Sequence, residues 1–146
     1  MSLAVRSATI ADAERLARLV TLLGYPVSPD QMRPRLQAVL ADPDYATLVA
    51  CDHEEVVGFI GTRVGPLYES DGLYGQIMAL AIANDRQRRG TGRALIQAAE
   101  GLLAARGVRV VLVTSGHQRA DAHAFYEKNG YTFTGRRYTK VLGVPD

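Results

Sequence analysis

Eight consecutive residues, Arg86-Gln87-Arg88-Arg89-Gly90-Thr91-Gly92-Arg93, hold four arginines and two glycines. Glycine lets a backbone approach a ligand closely because no Cβ intervenes. Arginine closes over phosphate or carboxylate oxygens through charge-assisted hydrogen bonds. These residue types suit an anion of several charges. Three readings compete: a grip on nucleic acid, a cradle for the phosphates of a cofactor, and a solvated basic loop. Spacing narrows the second. A nucleoside-triphosphate loop needs GxxxxGK[ST], and the chain has no Gly-Lys-Ser or Gly-Lys-Thr. A dinucleotide fingerprint needs GxGxxG or GxGxxA; Gly90 and Gly92 begin it, but Leu95 stands at its last place. Against nucleic acid, no aromatic residues interleave with these arginines.

The surrounding elements must position this turn. Leu73 to Ile82 reads as a strand running into it. Leu95, Ala98, Ala99, Leu102 and Leu103 mark one face of a helix that leaves it and ends at Arg106-Gly107. The turn thus sits at a strand's carboxyl end and a helix's N-terminus, where free backbone N–H groups and the helix dipole attract anions. Val108 to Val113 is an apolar run, as expected of a strand buried on both faces. The strand–helix–strand crossover makes the two flanking strands parallel.

Upstream, Leu3 to Arg6 reads as a first strand. Thr9 and Asp12 have capping-box spacing ahead of Leu16, Leu19, Val20 and Leu23 on one helical face, with Gly24 as the stop. Ser28, Pro29 and Gln31 mark a second helix start, although Pro34 places the regular helix only from about Met32. Tyr45–Cys51 and Glu55–Val64 form a hairpin around Asp52-His53-Glu54, and Leu73–Ile82 completes a meander. Downstream, Ala120–Lys128 is a short helix capped by Asn129-Gly130, and Tyr131–Phe133 and Arg137–Leu142 read as closing strands. The order β-α-α-β-β-β-α-β-α-β-β implies an α/β fold of mixed type: a twisted mixed sheet of about seven strands with helices on both faces.

The 146 residues fit a single domain, 1–146, with no repeat or linker. Net charge is only +2, from 17 basic and 15 acidic side chains, so the arginines are concentrated locally. This argues against a protein dedicated to nucleic acid. The lone Cys51 excludes an intrachain disulfide and, within TLVAC, reads as a small core residue. No stretch approaches the ~20 apolar residues that span a bilayer, and no signal core follows the N-terminus. The expectation is a cytoplasmic protein with no membrane or nucleic-acid partner.

The spacing that fits is Gln/Arg-x-x-Gly-x-Gly: Gln87, Gly90 and Gly92. The string LAIANDRQRRGTGRALI resembles the acetyl-CoA motif of the GNAT superfamily of N-acetyltransferases, and HQRADAHAFYEKNGYTFTG resembles that family's C-terminal motif. The resemblance extends in element order over nearly the whole chain. It implies a GNAT-like fold and an N-acetyltransferase that moves an acetyl group from acetyl-CoA to a primary amine by direct attack in a ternary complex. The alternative is a non-catalytic acyl-CoA-binding or regulatory module. By resemblance, backbone groups of Leu80, Ala81 and Ile82 meet the acetyl-pantetheine arm as an added strand would. Backbone amides in the turn, with Gln87, Arg88, Arg89, Gly90, Thr91, Gly92 and Arg93 as its residues, hold the pyrophosphate. Arg86 is open to reading as plain surface charge.

Amine acetylation needs a neutral amine, a donor to the carbonyl oxygen and a proton for the leaving thiolate. A phenol, with pKa ~10 against ~8.5 for a thiol, keeps its proton at neutral pH and can deliver it. By resemblance Tyr126 is that acid; the competing reading makes it a core aromatic beside Phe125. The base is missing from its family place, where Gln76 and Met78 stand. Glu69, Asp71, His117 and His123 are weak substitutes, each with an ordinary surface or packing role open to it, and water-mediated deprotonation is equally open. Arg119 occupies a place where many relatives carry asparagine. No metal ligands are assigned. The acceptor is a small-molecule or peptide amine, bounded by the first two helices, GPLYESDG and the C-terminal segment. Many relatives dimerise, so the resemblance admits a homodimer.

Overall fold

A computed structural model of the chain describes residues 3–86, 89–114 and 120–143. The chain divides into two compact units, Met1–Val113 and Thr114–Asp146. The first holds one sheet in the order β1-β2-β3-β4-β5, formed by Leu3–Ser7, Tyr45–Asp52, Glu55–Pro66, Leu73–Ile82 and Val108–Val113. Pairs β1–β2, β2–β3 and β3–β4 are antiparallel, and β4–β5 is parallel, as a helical crossover dictates.

Helices cover both faces of this sheet. Val49, Phe59 and Ala81 lie opposite one another on β2, β3 and β4 and join Leu16 and Leu19 of α1 (Ala13–Leu22) and Leu36 of α2 (Pro29–Ala41) in one core. The neighbouring row, Ala50, Gly58 and Ile82, faces the other way, where Leu95 of α3 (Thr91–Ala105) approaches Gly58. Sequence spacing anticipates the helix starts. The Thr9 amide donates to Asp12 Oδ2 at 2.8 Å; a single 3₁₀ turn there precedes α1. At α2 the Gln31 amide donates to Ser28 Oγ at 3.1 Å, and the Ser28 amide donates to Gln31 Oε1 at 2.9 Å. Pro34 does not delay α2, which runs from Pro29. The carbonyl it leaves without a helical donor belongs to Asp30, which is exposed to water.

Two expectations are corrected. The described sheet has five strands, not about seven, so the expected order is not matched at its end. In the second unit α4 (Ala120–Lys128) is followed by irregular chain where Tyr131–Phe133 and Arg137–Leu142 were expected as strands. Alternating Thr, Phe and Tyr report compatibility with a pleated surface, but a strand exists only where a neighbour takes its N–H and C=O groups. These residues are mostly exposed and join no ladder among the described residues. The apolar run of β5 likewise does not mean burial on both faces. β5 is the last strand of the described sheet, and its Val110 and Leu112 are 49% and 44% exposed. Among the described residues, no helix is long and apolar enough to cross a membrane.

Candidate functional site

Strand β4 changes character at Met78. Across β3, Gly61 faces Ala79 but Thr62 faces Ile77, so Met78 is the extra residue of a β-bulge. On its other edge β4 pairs with β5 only as far as Ile77, opposite Val113. It then continues to Ile82 along β3, with Leu80 opposite Ile60 and Ala81 opposite Phe59. Among the described residues, no β5 residue stands opposite Leu80 or Ala81. A strand edge of this kind carries main-chain donors and acceptors that can pair with an extended ligand.

The helix that follows begins at a glycine in left-handed conformation. Gly90, at φ +82°, precedes Thr91, and the Ala94 amide donates to the Gly90 carbonyl at 3.0 Å. The amides of Thr91, Gly92 and Arg93 precede that first intrahelical bond and have no acceptor within the helix. A Cβ on Gly90 would meet nothing within 4 Å, so the backbone angle, not crowding, calls for glycine. The first turn holds no acidic side chain, and Gly90, as the N-cap residue, has no side chain with which to cap it. Arg89 and Arg93, both exposed, add positive charge where the dipole is already positive. Such a helix start favours an anion more strongly than an ordinary capped one. Thr91 is 1% exposed, and its hydroxyl is buried without a hydrogen-bond partner among the described residues. These features fit a pyrophosphate on the turn and a pantetheine arm along β4.

Two contacts hold this geometry that the sequence does not announce. Gly58 on β3 is the point where β4 and α3 converge: a Cβ there would come within 2.8 Å of Ile82 Cδ1, 3.1 Å of the Ala81 carbonyl and 3.3 Å of Leu95 Cδ1. Arg86 is not plain surface charge. Its guanidinium lies 3.3 Å from Asp52 and 3.0 Å from Glu55, on either side of the β2–β3 turn. Glu55 also pairs with Arg15 of α1 at 3.4 Å. The hydrogen bond from Arg86, aided by the charge of Arg15, holds the Glu55 carboxyl below its ordinary pKa, and the same bond raises that of Arg86.

The remaining candidates fall in several places. Gln87, Arg88, His117 and Arg119 lie outside the described residues. Glu69 and Asp71 are exposed in the loop between β3 and β4. Gln76 is half-buried on β4, opposite Arg63 of β3 and Leu112 of β5. Cys51 is buried in the α1–α2 core, as expected of a small apolar residue. In the second unit, half-buried Tyr126 stacks edge-on against both Phe125 and Tyr131, with centroids 5.4 and 5.8 Å apart. Gly130, at φ +92°, turns the chain so that the Tyr131 amide reaches the Tyr126 carbonyl at 2.9 Å. His123 is half-buried on the same helix.

Comparison with known proteins shows the family to which the chain belongs. Residues 13–131 match the model of the acetyltransferase (GNAT) family. Over 139 residues the chain is 27% identical to an aminoalkylphosphonate N-acetyltransferase of Salmonella typhimurium, covering 94% of this chain and 90% of that protein. A GNAT family acetyltransferase from Staphylococcus aureus matches with a TM-score of 0.83 at 25% identity, covering 97% of this chain and 100% of that one. An aminoglycoside acetyltransferase from an uncultured soil metagenomic sample, in complex with sisomicin, matches with a TM-score of 0.78 over 98% of this chain and 97% of that one. Its 20% identity speaks for the fold alone.

Proposed function

As a member of the acetyltransferase (GNAT) family, this chain is an acyltransferase that takes its acetyl group from acetyl-CoA, and we propose that it transfers that group to a primary amine by direct attack in a ternary complex. The observation that carries the reading is the β4 edge beyond Ile77, opposite which no β5 residue stands among the described residues, together with a helix start whose N-cap is Gly90 and whose first turn holds no acidic side chain. The family match runs from 13 to 131, across the boundary between the two units, which supports treating 1–146 as one domain.

In this reading Leu80, Ala81 and Ile82 orient the acetyl-pantetheine arm through main-chain hydrogen bonds, and a β4 N–H near Leu80 or Ala81 donates to the carbonyl oxygen as negative charge develops there. The turn of Gln87, Arg88, Arg89, Gly90, Thr91, Gly92 and Arg93 holds the pyrophosphate by its amides, and its arginines screen the phosphate charge. When bound, acetyl-CoA would supply a thioester, an acetyl donor with a thiolate as its leaving group. Tyr126 would be the acid that gives its phenolic proton to that thiolate. Gln76 and Met78 cannot serve as bases, so the proton of the attacking amine would pass to ordered water or to Glu69, Asp71, His117 or His123, and a proton would return to the Tyr126 phenolate. The buried single cysteine accords with a reducing, cytoplasmic setting. A homodimer remains compatible with the reading, and the mass in solution measures it.

The test has two parts. Saturating acetyl-CoA raises the melting temperature, and a panel of primary amines releases free CoA thiol. No thermal shift overturns cofactor binding. A shift with no thiol release from any amine overturns transfer.

A further inference from the structure

Strands β2, β3 and β4 place Tyr45, Arg63 and Gln76 side by side in one row of the sheet. This row lies on β4 just ahead of the Met78 bulge, on the amino side of the segment that orients the acetyl group. The guanidinium carbon of Arg63 lies 6.0 Å from the centroid of the Tyr45 ring, and Arg63 Nη1 donates to the Tyr74 hydroxyl at 3.4 Å. Tyr74 is itself fixed: its ring lies across Gly65, where a Cβ would come within 2.9 Å of it. Arg63 is thus steered by two aromatic groups, neither of which neutralises it. Among the described residues no carboxylate lies within ion-pair distance of it, whereas Arg6, Arg15, Arg18, Arg33, Arg86 and Arg106 each have one. Its strand neighbour Gln76 is neutral, and Glu69 and Asp71 of the following loop form no ion pair with it.

We propose that Arg63, held by Tyr45 and Tyr74, binds an acidic group on the acceptor, so that the substrate is an amine that also carries a phosphonate or carboxylate. The inference rests on the acetyl-transfer reading above. A guanidinium lying over a ring at cation–π distance keeps its outward N–H groups for bidentate contact with an oxyanion. Four residues of strand, ~13 Å, separate Gln76 from Leu80. An arginine side chain reaching along the face and a short acceptor together bridge that span, which sets the anion and the amine at opposite ends of the acceptor. Neutral Gln76 and Met78 have a second consequence: carboxylates at those places would repel an anionic substrate, and none is present. A polycationic acceptor meets the opposite field, an uncompensated cation.

The test compares matched acceptors with the purified full chain: 2-aminoethylphosphonate, β-alanine and propylamine, read by CoA thiol release. At least one acidic amine exceeds propylamine in kcat/KM by about 30-fold or more. Arg63→Gln raises KM for that acceptor by about 30-fold and leaves both propylamine turnover and the KM of acetyl-CoA within about 2-fold. Arg63→Lys, which keeps the charge and loses the fork, falls between. Calorimetric titration of 2-aminoethylphosphonate and β-alanine into the CoA-bound protein gives a readout independent of turnover, and Arg63→Gln abolishes the binding. Equal use of propylamine, or equal loss for all three acceptors in Arg63→Gln, overturns the proposal, as does absence of binding by both acidic amines. Binding without thiol release leaves the acidic-group site standing and overturns acetyl transfer instead.

Discussion

Arg86 Nη2 donates to Glu55 Oε1 at 3.0 Å, tying the chain just ahead of the start of α3 to the first residue of β3. The Ala83 amide adds a main-chain tie to the Val57 carbonyl at 2.8 Å. The turn is therefore anchored on its strand side before the helix begins. Arg86→Gln is expected to weaken CoA binding by about 5-fold through misplacement of the turn. Arg15→Gln is the control, because Arg15 shares Glu55 but does not enter the turn. Calorimetric titration with CoA separates them; equal affinities would remove the positioning role of Arg86.

Gly58→Ala inserts a methyl group where β3, β4 and α3 converge. It is expected to cost about 1–3 kcal/mol of stability, as overpacking does, and to weaken acetyl-CoA binding because Ile82 and Leu95 must separate. Gly61→Ala, three residues along β3, meets nothing within 4 Å and is expected to change stability by no more than ~0.5 kcal/mol. Urea unfolding of the two variants checks the contrast.

Tyr126→Phe keeps both edge-on ring contacts and removes only the hydroxyl. Turnover is expected to fall by about 10²-fold while CoA affinity holds. Undiminished turnover in steady-state assay assigns Tyr126 to packing.

Asp12 is buried, and Arg6 donates two hydrogen bonds to it, each at 2.9 Å. The Arg6 hydrogen bond, with the Thr9 amide bond beside it, outweighs desolvation and holds the Asp12 carboxyl below its ordinary pKa. A depressed carboxyl contributes its stability above the unfolded value and loses it as pH falls through the folded one. Asp12→Asn is therefore expected to cost about 2 kcal/mol at pH 7. The gap between variant and wild type closes as pH falls below about 4. Thermal unfolding across pH 3 to 7 measures it; a constant gap would exclude the linkage.

The sequence by itself determined the elements of the first unit and the class of ligand. Period-two and helical spacing reported which face of each segment is apolar, and Thr9–Asp12 and Ser28–Gln31 named two helix starts, because caps are local chemistry. The glycine spacing of RQRRGTGR between a strand and an apolar helix was equally local, and it pointed to an anion as the ligand. What only the tertiary structure decided depends on residues distant in the chain. Pairing of β4 with β3 past its last β5 partner, and the extra residue at Met78, are matters of register, which no single segment encodes. Gly58 reads as an ordinary strand glycine until β4 and α3 close on it. Arg86 and Arg63 look alike as strand-end and strand arginines. Folding sets Arg86 against the carboxylates of Asp52, Glu55 and Asp85, and Arg63 against the Tyr45 ring and the Tyr74 hydroxyl. The expected strands after residue 130 failed for the same reason in reverse: β-propensity is a property of a segment, whereas a strand is a property of a pair.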